Sequence, residues 1–197
     1  MRLRDVESGD GPAYVRMRCD PAMMAHLGGP FPEERAEAQV GHDLALVGSG
    51  AGLVKMILVD SPAPDTVAGT VTVSQHEIDA TPAAEIGWMV LPEHQGRGLA
   101  RWAVSSVLDE VRRGGRWSVV HAFPGVGNTP SNRLCRRLGF TWSASGRRRS
   151  ATGSSGPTTG RSICGTDRAG QALPCGLDWP SSRLPRRGAD ECVRAGD

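Results

Sequence analysis

The segment from Ala83 to Arg113 constrains the fold more than any other part of the chain. Ala83–Val90 has apolar residues on both faces, with Glu85 as its one charged residue, as expected of a central strand. Two glycines follow, and Gly98–Arg113 then places apolar residues at the spacing of an amphipathic helix. A buried strand that leads through a glycine-containing loop into a helix predicts an α/β fold with a partly parallel sheet.

The rest of the first 142 residues also reads as short strands and helices. Asp10 or Ser8 is placed to cap a first helix that continues to about Met17. The other predicted strands are Met1–Val6, Leu53–Val59, Thr66–Gln75 and Trp117–Phe123, and the other predicted helices are Ala22–Leu27, Pro32–Val47 and Ser131–Leu138.

The composition changes near residue 142. Residues 1–142 have 14 Lys and Arg against 16 Asp and Glu, whereas residues 143–197 have 9 against 5. The later segment is rich in Arg, Gly, Ser and Pro, and its isolated apolar residues follow the period of neither a strand nor a helix. Such a segment buries too little apolar surface to offset its ordering entropy. We therefore expect a folded domain at 1–142 and a mostly disordered tail at 143–197.

Charge, hydropathy and cysteine spacing exclude several classes of function. A formal net charge of +2 is too small to indicate nucleic-acid binding, and the tail arginines have no interleaved aromatic residues. The longest apolar run, Leu53–Val59, is too short for a membrane span and contains Lys55. The N-terminus lacks the apolar segment of a signal peptide, and the 5 cysteines include no C-x-x-C pair. We expect a cytoplasmic protein that binds no membrane, no specific nucleic acid and no metal.

The loop between the strand and the helix suits a pyrophosphate group. Glycines at 96 and 98 let the backbone approach a phosphate without a Cβ in the way. The amides of the loop and the dipole of the following helix attract negative charge. Arg97 is placed to pair with a phosphate, although a solvated side chain and an ordinary strand-to-helix turn are the alternatives.

Two motifs together resemble the GNAT N-acetyltransferases. The sequence QGRGLA at 95–100 is similar to that family's coenzyme A loop, and the sequence NTPSNRLCRRLGF at 128–140 is similar to its N-x-x-[AS]…LGF segment. The segments at 20–30 and 85–88 look like the branch that contains ribosomal-protein alanine N-acetyltransferases. The resemblance covers about residues 1–142 and implies an α/β (α+β) fold with a central mixed sheet flanked by helices.

The resemblance also implies a site for acetyl-CoA, the acetyl donor, between two parallel strands that splay apart. Those strands would be Ala83–Val90 and Trp117–Phe123, with one N–H group stabilising the oxyanion that forms when an amine attacks. Asn128 would contact coenzyme A, cap the following helix, or do both. The cofactor-binding residues implied by the resemblance are Trp88, Met89, Val90, Gln95, Gly96, Arg97, Gly98, Leu99, Ala100 and Asn128.

Acetyl transfer further requires a base, because the attacking amine must be neutral. Glu85 is the first candidate, since a carboxylate in an apolar strand needs an explanation. The alternative is a glutamate at a solvated strand start. His121 is the second candidate base, with a structural histidine as its alternative. Many members of the family use a tyrosine as the acid where this chain has Cys135, so Ser131 is the candidate acid and Cys135 is expected to be buried and inert.

The chain departs from the family pattern after residue 142. The family fold continues with a two-stranded hairpin, and here the strand pattern stops after Thr141-Trp142. We expect the hairpin to be missing or non-native, either because the sequence from about 143 onward is frame-shifted or because it is a natural disordered extension.

The sequence leaves several readings of function open. The principal one is an enzyme that transfers an acetyl group from acetyl-CoA to a primary amine, with a small molecule or a protein N-terminus as acceptor. A non-catalytic GNAT-like module that binds acyl-CoA is the first alternative. In the family the hairpin forms part of the substrate site, and we expect it to be missing or non-native here. The glycines at 48, 50 and 52 suggest, more distantly, a dinucleotide-binding oxidoreductase with a strand at Asp43–Val47. The acceptor's identity stays open, and a homodimer is compatible with the sequence.

Overall fold

The computed structural model describes residues 1–78, 81–117, 119–143 and 162–164. The strands within these ranges are β1 (Arg2–Asp5), β2 (Gly52–Val59), β3 (Thr66–Ile78), β4 (Thr81–Val90), β5 (Val120–Ala122), β6 (Thr141–Ser143) and β7 (Ser162–Cys164). The helices within them are α1 (Gly11–Arg18), α2 (Pro21–Met24), α3 (Glu33–Gly48), α4 (Leu99–Gly114) and α5 (Thr129–Arg137), and short 3-10 turns lie at Ser8–Asp10 and Pro92–His94.

The described strands form one mixed sheet in the order β1-β2-β3-β4-β5-β7-β6. Strands β1 to β4 pair antiparallel, each with the next. The pairing of β4 with β5 is parallel. The predicted mixed sheet is therefore confirmed. Its parallel strands, β4 and β5, are the two that the glycine loop and α4 connect.

The sheet has a hydrophobic core on each face. One core packs α1, α2 and α3 against alternate residues of the sheet, such as Met56 and Met89. The other packs α4 and α5 against residues of the opposite parity, such as Ile57 and Val90. Helix α4 buries its predicted apolar stripe in this second core: Leu99, Ala103, Val104, Val107, Leu108 and Val111. None of the helices in the described ranges is long and apolar enough to cross a membrane.

Three predicted elements are shorter in the structure, and the first strand loses one residue at each end of the predicted Met1–Val6. Helix α2 ends at Met24 rather than at Leu27, because the Met24 carbonyl accepts hydrogen bonds from the N–H groups of Leu27 and Gly29 and the chain turns there. Strand β5 is limited to three residues of the predicted Trp117–Phe123, since its parallel ladder with β4 extends over only two residue pairs.

The structure overturns one of the two alternatives for the hairpin, that it is missing, whereas the alternative that it is non-native stays a prediction. Strands β6 and β7 pair antiparallel, and β7 lies between β5 and β6. A short hairpin therefore completes the sheet, although its second strand falls within the predicted tail. The remaining tail residues, 144–161 and 165–197, lie outside the described residues, so the interpretations of this segment as disordered or frame-shifted stay predictions.

The glycines at 48–52 form the turn between α3 and β2. Asp43–Val47 is part of helix α3 rather than a strand, and β2 begins directly at Gly52. Because a dinucleotide-binding turn runs from a strand into a helix, this helix-to-strand connection has the wrong order. The oxidoreductase reading is therefore not supported at this glycine cluster.

Candidate active site

Strands β4 and β5 separate soon after they meet. Their paired residues are Ala84 with Val120 and Glu85 with His121, and the N–H of Ala84 donates to the carbonyl of Val119 at 3.2 Å. Strand β4 then continues to Val90, whereas β5 ends at Ala122. The predicted gap between two splayed parallel strands is therefore present.

The edge of β4 directs backbone groups into this gap. The N–H of Ala84 faces β5, and the N–H of Leu91 faces β3, where it donates to the carbonyl of Ala68. Because backbone groups alternate between the two edges of a strand, the N–H and C=O groups of Ile86, Trp88 and Val90 point toward the gap. Met89 is an odd-numbered residue of this strand, so its N–H and C=O groups point toward β3 rather than into the gap.

The gap opens into a cleft of about 780 Å³ between β4, the loop before α4, and α5. Eleven of the residues predicted from sequence line this cleft: Glu85, Trp88, Met89, Val90, Gln95, Gly96, Gly98, Leu99, Ala100, Asn128 and Ser131. Two others, Arg97 and His121, are not among its lining residues. Arg97 is exposed, and His121 is buried.

The loop before α4 has the geometry of an anion cradle. Gly96 and Gly98 have φ angles of 74° and 79°, in the left-handed region that favours glycine. Gly98 is the N-cap of α4 and provides no side chain for the amides of the first turn. Amides at a helix N-terminus that no side chain caps suit a phosphate group. The Gln95 side chain instead donates to the Val90 carbonyl at 2.8 Å, which ties the loop back to β4.

Glu93 attaches the start of this loop to α1, and the neighbouring His94 is buried beside the cleft. The Glu93 carboxylate pairs with the Arg16 guanidinium on α1. A hydrogen bond from its own backbone, together with the Arg16 charge, lowers the pKa of Glu93. His94 lines the cleft but is only 3% exposed, and its Nδ1 has no hydrogen-bond partner among the described residues. The loop is therefore attached to both β4 and α1.

The two candidate bases lie next to each other at the point where the strands diverge. Glu85 and His121 are the last paired residues of β4 and β5, so their side chains project from the same face of the sheet. Glu85 is half-buried and lines the cleft. The His121 ring is 8% exposed and stacks on Phe123 with a centroid distance of 6.1 Å. Glu85 is thus the more accessible of the two.

Helix α5 places Asn128 and Ser131 on the opposite wall. The Asn128 Oδ1 accepts a hydrogen bond from the Ser131 N–H at 3.1 Å, so the predicted capping role is confirmed. One turn later, Cys135 is fully buried and outside the cleft lining. Burial raises the pKa of the Cys135 thiol to about 12, which supports the expectation that this thiol is inert.

The segment after α1 closes the cleft on the side of Glu85. Asp20 caps α2 by accepting hydrogen bonds from two backbone N–H groups. His26, which follows α2, packs on the loop between β5 and α5. A Cβ added at Gly127 in that loop would lie only 3.3 Å from the Cε1 atom of the His26 ring. Glycine at 127 therefore permits this contact across the cleft mouth.

Sequence reasoning missed several residues that line the cleft. These are chiefly His26, Ile86, His94, Arg101, Arg133 and Arg137. The four-residue spacing of Arg133 and Arg137 was a usable signal, because it places both side chains on one face of a helix. The described residues contain no group of three or more His, Cys, Asp or Glu side chains that is arranged to hold a metal ion.

Comparisons with known proteins agree with this geometry. Residues 1–141 match the family model of the acetyltransferase (GNAT) domain. A solved acetyltransferase from Agrobacterium tumefaciens str. C58 is 22% identical in sequence to this chain, with a TM-score of 0.68. The match covers 82% of this chain and 88% of the Agrobacterium protein. The acetyl transferase from Salmonella typhimurium that modifies the N-terminal serine of ribosomal protein L7/L12 has a TM-score of 0.62 and 18% identity, covering 82% and 90%.

A third solved structure is the spermidine N-acetyltransferase from Vibrio cholerae in complex with coenzyme A and spermine. It has a TM-score of 0.62 and 16% identity, covering 83% of this chain and 92% of its own. At these identities the solved structures show a shared fold. The family model matches well over half of the residues, so this chain belongs to the GNAT acetyltransferase family.

Proposed function

We propose that this chain transfers the acetyl group of acetyl-CoA to a primary amine by direct attack of the amine on the thioester. The observation that carries the proposal is the continuity of the cleft. The free edge of β4 leads without interruption into the glycine loop at the N-terminus of α4. An extended edge and an anion cradle in this order match the pantetheine arm and the pyrophosphate of coenzyme A.

The backbone of β4 would hold the donor. The inward N–H and C=O groups of Ile86 and Trp88, together with the N–H of Val90, would pair with the amides of the pantetheine arm, as a further strand would. The carbonyl of Val90 already accepts from Gln95. An N–H of this edge would donate to the thioester oxygen and stabilise the negative charge that develops there during attack. The loop amides around Gly96 and Gly98 would hold the pyrophosphate.

Glu85 would prepare the acceptor for attack. Its carboxylate lines the cleft on the face of the sheet where α2 and His26 lie. It would take a proton from the amine, directly or through a water molecule. The new bond joins the amine nitrogen to the acetyl carbon, and the carbon–sulfur bond breaks. Ser131, on the facing wall, would return a proton to the departing thiolate.

The acceptor would enter from the side of α2. Among the described lining residues, Glu85 is the one carboxylate, while Met23 and Leu27 contribute apolar surface. A primary amine with an apolar neighbouring group suits this entrance. Both a protein N-terminus and a small amine satisfy that description, and similar folds include one enzyme named for each kind of acceptor.

Two measurements on one sample test the proposal. Acetyl-CoA is titrated by calorimetry, and thiol release is followed with a panel of N-terminal peptides, polyamines and small monoamines. We expect saturable binding and amine-dependent release of one thiol for each acetylated product. Binding without thiol release from any amine would favour the non-catalytic module, and absence of binding would contradict both readings.

A further inference from the structure

A side chain from the segment after α2 spans the mouth of the cleft, and the acetyl transfer proposed above does not use it. His26 rests on the loop between β5 and α5, residues 123–128. A Cβ added at Gly125 would lie 3.5 Å from the Cβ of His26, and one added at Gly127 would lie 3.3 Å from its Cε1. The histidine is therefore in contact with both glycines.

Hydrogen bonds hold both sides of this contact. On one side, the Met24 carbonyl accepts from the N–H of Leu27 at 2.9 Å, which fixes the turn that carries His26. On the other side, the Nδ2 of Asn132, a buried residue, donates to the carbonyl of Gly125 at 2.9 Å. Each side has its own hydrogen bonds, so removal of the His26 ring should open the mouth without unfolding either wall.

The contact lies on the face of the sheet that carries Glu85. The Met89 side chain lies in the core that packs against α1, α2 and α3, and Glu85 has the same parity in β4. Strand β5 is the neighbour of β4 at Glu85. A side chain that reaches from the end of α2 to the loop after β5 therefore crosses the gap between the strands on the Glu85 side. An acceptor that approaches Glu85 from this side passes His26.

The mouth is unfavourable to a second positive charge. Next to the histidine its lining is apolar, with Ala22, Met23 and Leu27. The described lining of the whole cleft has three arginines and one carboxylate, Glu85. An ammonium group other than the reacting one would thus lose water without gaining an anionic partner, which is costly. An apolar group at the same place instead gains from leaving water.

We propose that His26 determines acceptor specificity. Its contact with Gly125 and Gly127 keeps water out of the mouth, so that the enzyme accepts an amine with an apolar neighbouring group and rejects one with a second positive charge. The inference rests on the proposed function, because it requires acetyl transfer to an amine. It narrows the acceptor to an amine with a single positive charge, which excludes polyamines. The specificity comes from the cost imposed on the wrong acceptor as well as from contacts with the right one.

Two matched pairs of acceptors test the inference. Pentylamine and 1,5-diaminopentane differ in one amino group, and leucinamide and lysinamide differ in the charge of the side chain. Thiol release gives kcat/KM for each acceptor, and the readout is the ratio between the apolar and the charged member of a pair. A change that merely lowers the amount of folded enzyme affects both members equally and leaves this ratio unchanged. The wild type should prefer the apolar member at least tenfold.

Four variants locate the effect at the contact. In His26→Ala, which removes an exposed side chain, the preference should fall below threefold. In Gly127→Ala, whose φ is not left-handed, the added Cβ displaces the ring and the preference should take an intermediate value. His26→Ala/Gly127→Ala should match His26→Ala, because the glycine acts through the histidine. Val126→Ala is the control and should keep the wild-type ratio, since Val126 lies between the glycines, is 67% exposed and is not among the cleft-lining residues.

The possible failures are distinguishable. A wild type that uses the charged acceptors equally well or better, or an unchanged ratio in His26→Ala, overturns the inference and leaves the proposed function standing. The same follows if Gly127→Ala lowers the ratio as much in the His26→Ala background as in the wild type. A loss of acetyl-CoA affinity in His26→Ala, measured by calorimetry, would assign the histidine to the donor site and also overturn the inference. Absence of thiol release with every amine tested overturns the proposed function as well.

Discussion

Substitution of Gly98 tests the anion cradle most directly. Gly98 has a φ of 79°, and no atom beyond its neighbours lies within 4 Å of the position that a Cβ would take. A side chain at this position would therefore meet open space rather than the protein, and on the proposed placement of acetyl-CoA it would face the pyrophosphate. We compare Gly98→Asp with Gly98→Asn, because the two side chains have nearly the same shape and differ in charge.

The left-handed conformation sets the cost to stability, which both variants share. A residue other than glycine in this region costs about 1–2 kcal/mol, and Asn and Asp are among the best tolerated. In a chain of this size, 1 kcal/mol corresponds to about 2–4 °C in melting temperature. We therefore expect each variant to melt up to about 8 °C below the wild type in the absence of ligand, with its helix content retained.

The charge sets the difference in affinity between the variants. Two unit charges about 4 Å apart repel by about 1 kcal/mol in water and by about 4 kcal/mol at an effective dielectric constant near 20. On the proposed placement, the Asp carboxylate would face the two charges of the pyrophosphate at a partly exposed loop. Calorimetry should thus show acetyl-CoA bound at least tenfold more weakly by Gly98→Asp than by Gly98→Asn, and the difference should shrink as salt is added. Equal affinities for the two variants would refute the placement of the pyrophosphate at this loop.

Three further predictions concern the walls of the cleft. Glu85→Gln should lower turnover more than acetyl-CoA affinity, because Gln keeps the shape but cannot take a proton. If it retains full activity across pH while His121→Gln does not, the base is His121. Asn128→Ala should cost about 1 kcal/mol of stability by removing the cap of α5. Asn128→Ser keeps a capping side chain and should keep the melting temperature. Calorimetry of the Ser variant therefore measures the loss of the proposed contact with coenzyme A alone. Burial raises the pKa of Cys135 to about 12, so the folded protein holds the thiol proton more tightly than the unfolded chain does. The resulting contribution to the free energy of unfolding is complete below the ordinary thiol pKa and declines as pH rises toward 12. Denaturant unfolding of wild type and Cys135→Ala should therefore show the stability difference narrowing above about pH 9, and a constant difference would contradict the shift.

The core of the fold was predictable because its signals are periodic. The apolar stripe of α4 and the apolar residues on both faces of β4 identify a helix and a central strand from the sequence alone. The position of the glycine loop follows from those two elements. The left-handed φ at Gly98 was not predictable in the same way, because a glycine occupies many backbone conformations and the sequence does not select one.

Features that depend on distant pairing were harder to predict. Strand β5 is short because its ladder with β4 ends where the two strands diverge, and that divergence is a tertiary property. The excess of positive charge in the cleft arises because α4 and α5 bring Arg101, Arg133 and Arg137 to one cavity. Each arginine taken singly in the sequence resembles an ordinary solvated side chain, and their grouping around one cavity depends on how the two helices pack.

The hairpin shows how a segment of unfavourable composition can still complete the sheet. Strand β7 pairs with β5 at His121 and Ala122 and with β6 on its other edge. Strand β5 has only two paired positions on the β4 side, so pairing with β7 doubles the backbone contacts that hold it. Backbone pairing requires N–H and C=O groups that every residue except proline supplies, and it needs no apolar period. The composition boundary near residue 142 therefore does not divide the sheet, and the cleft wall formed by β5 depends on a strand beyond that boundary.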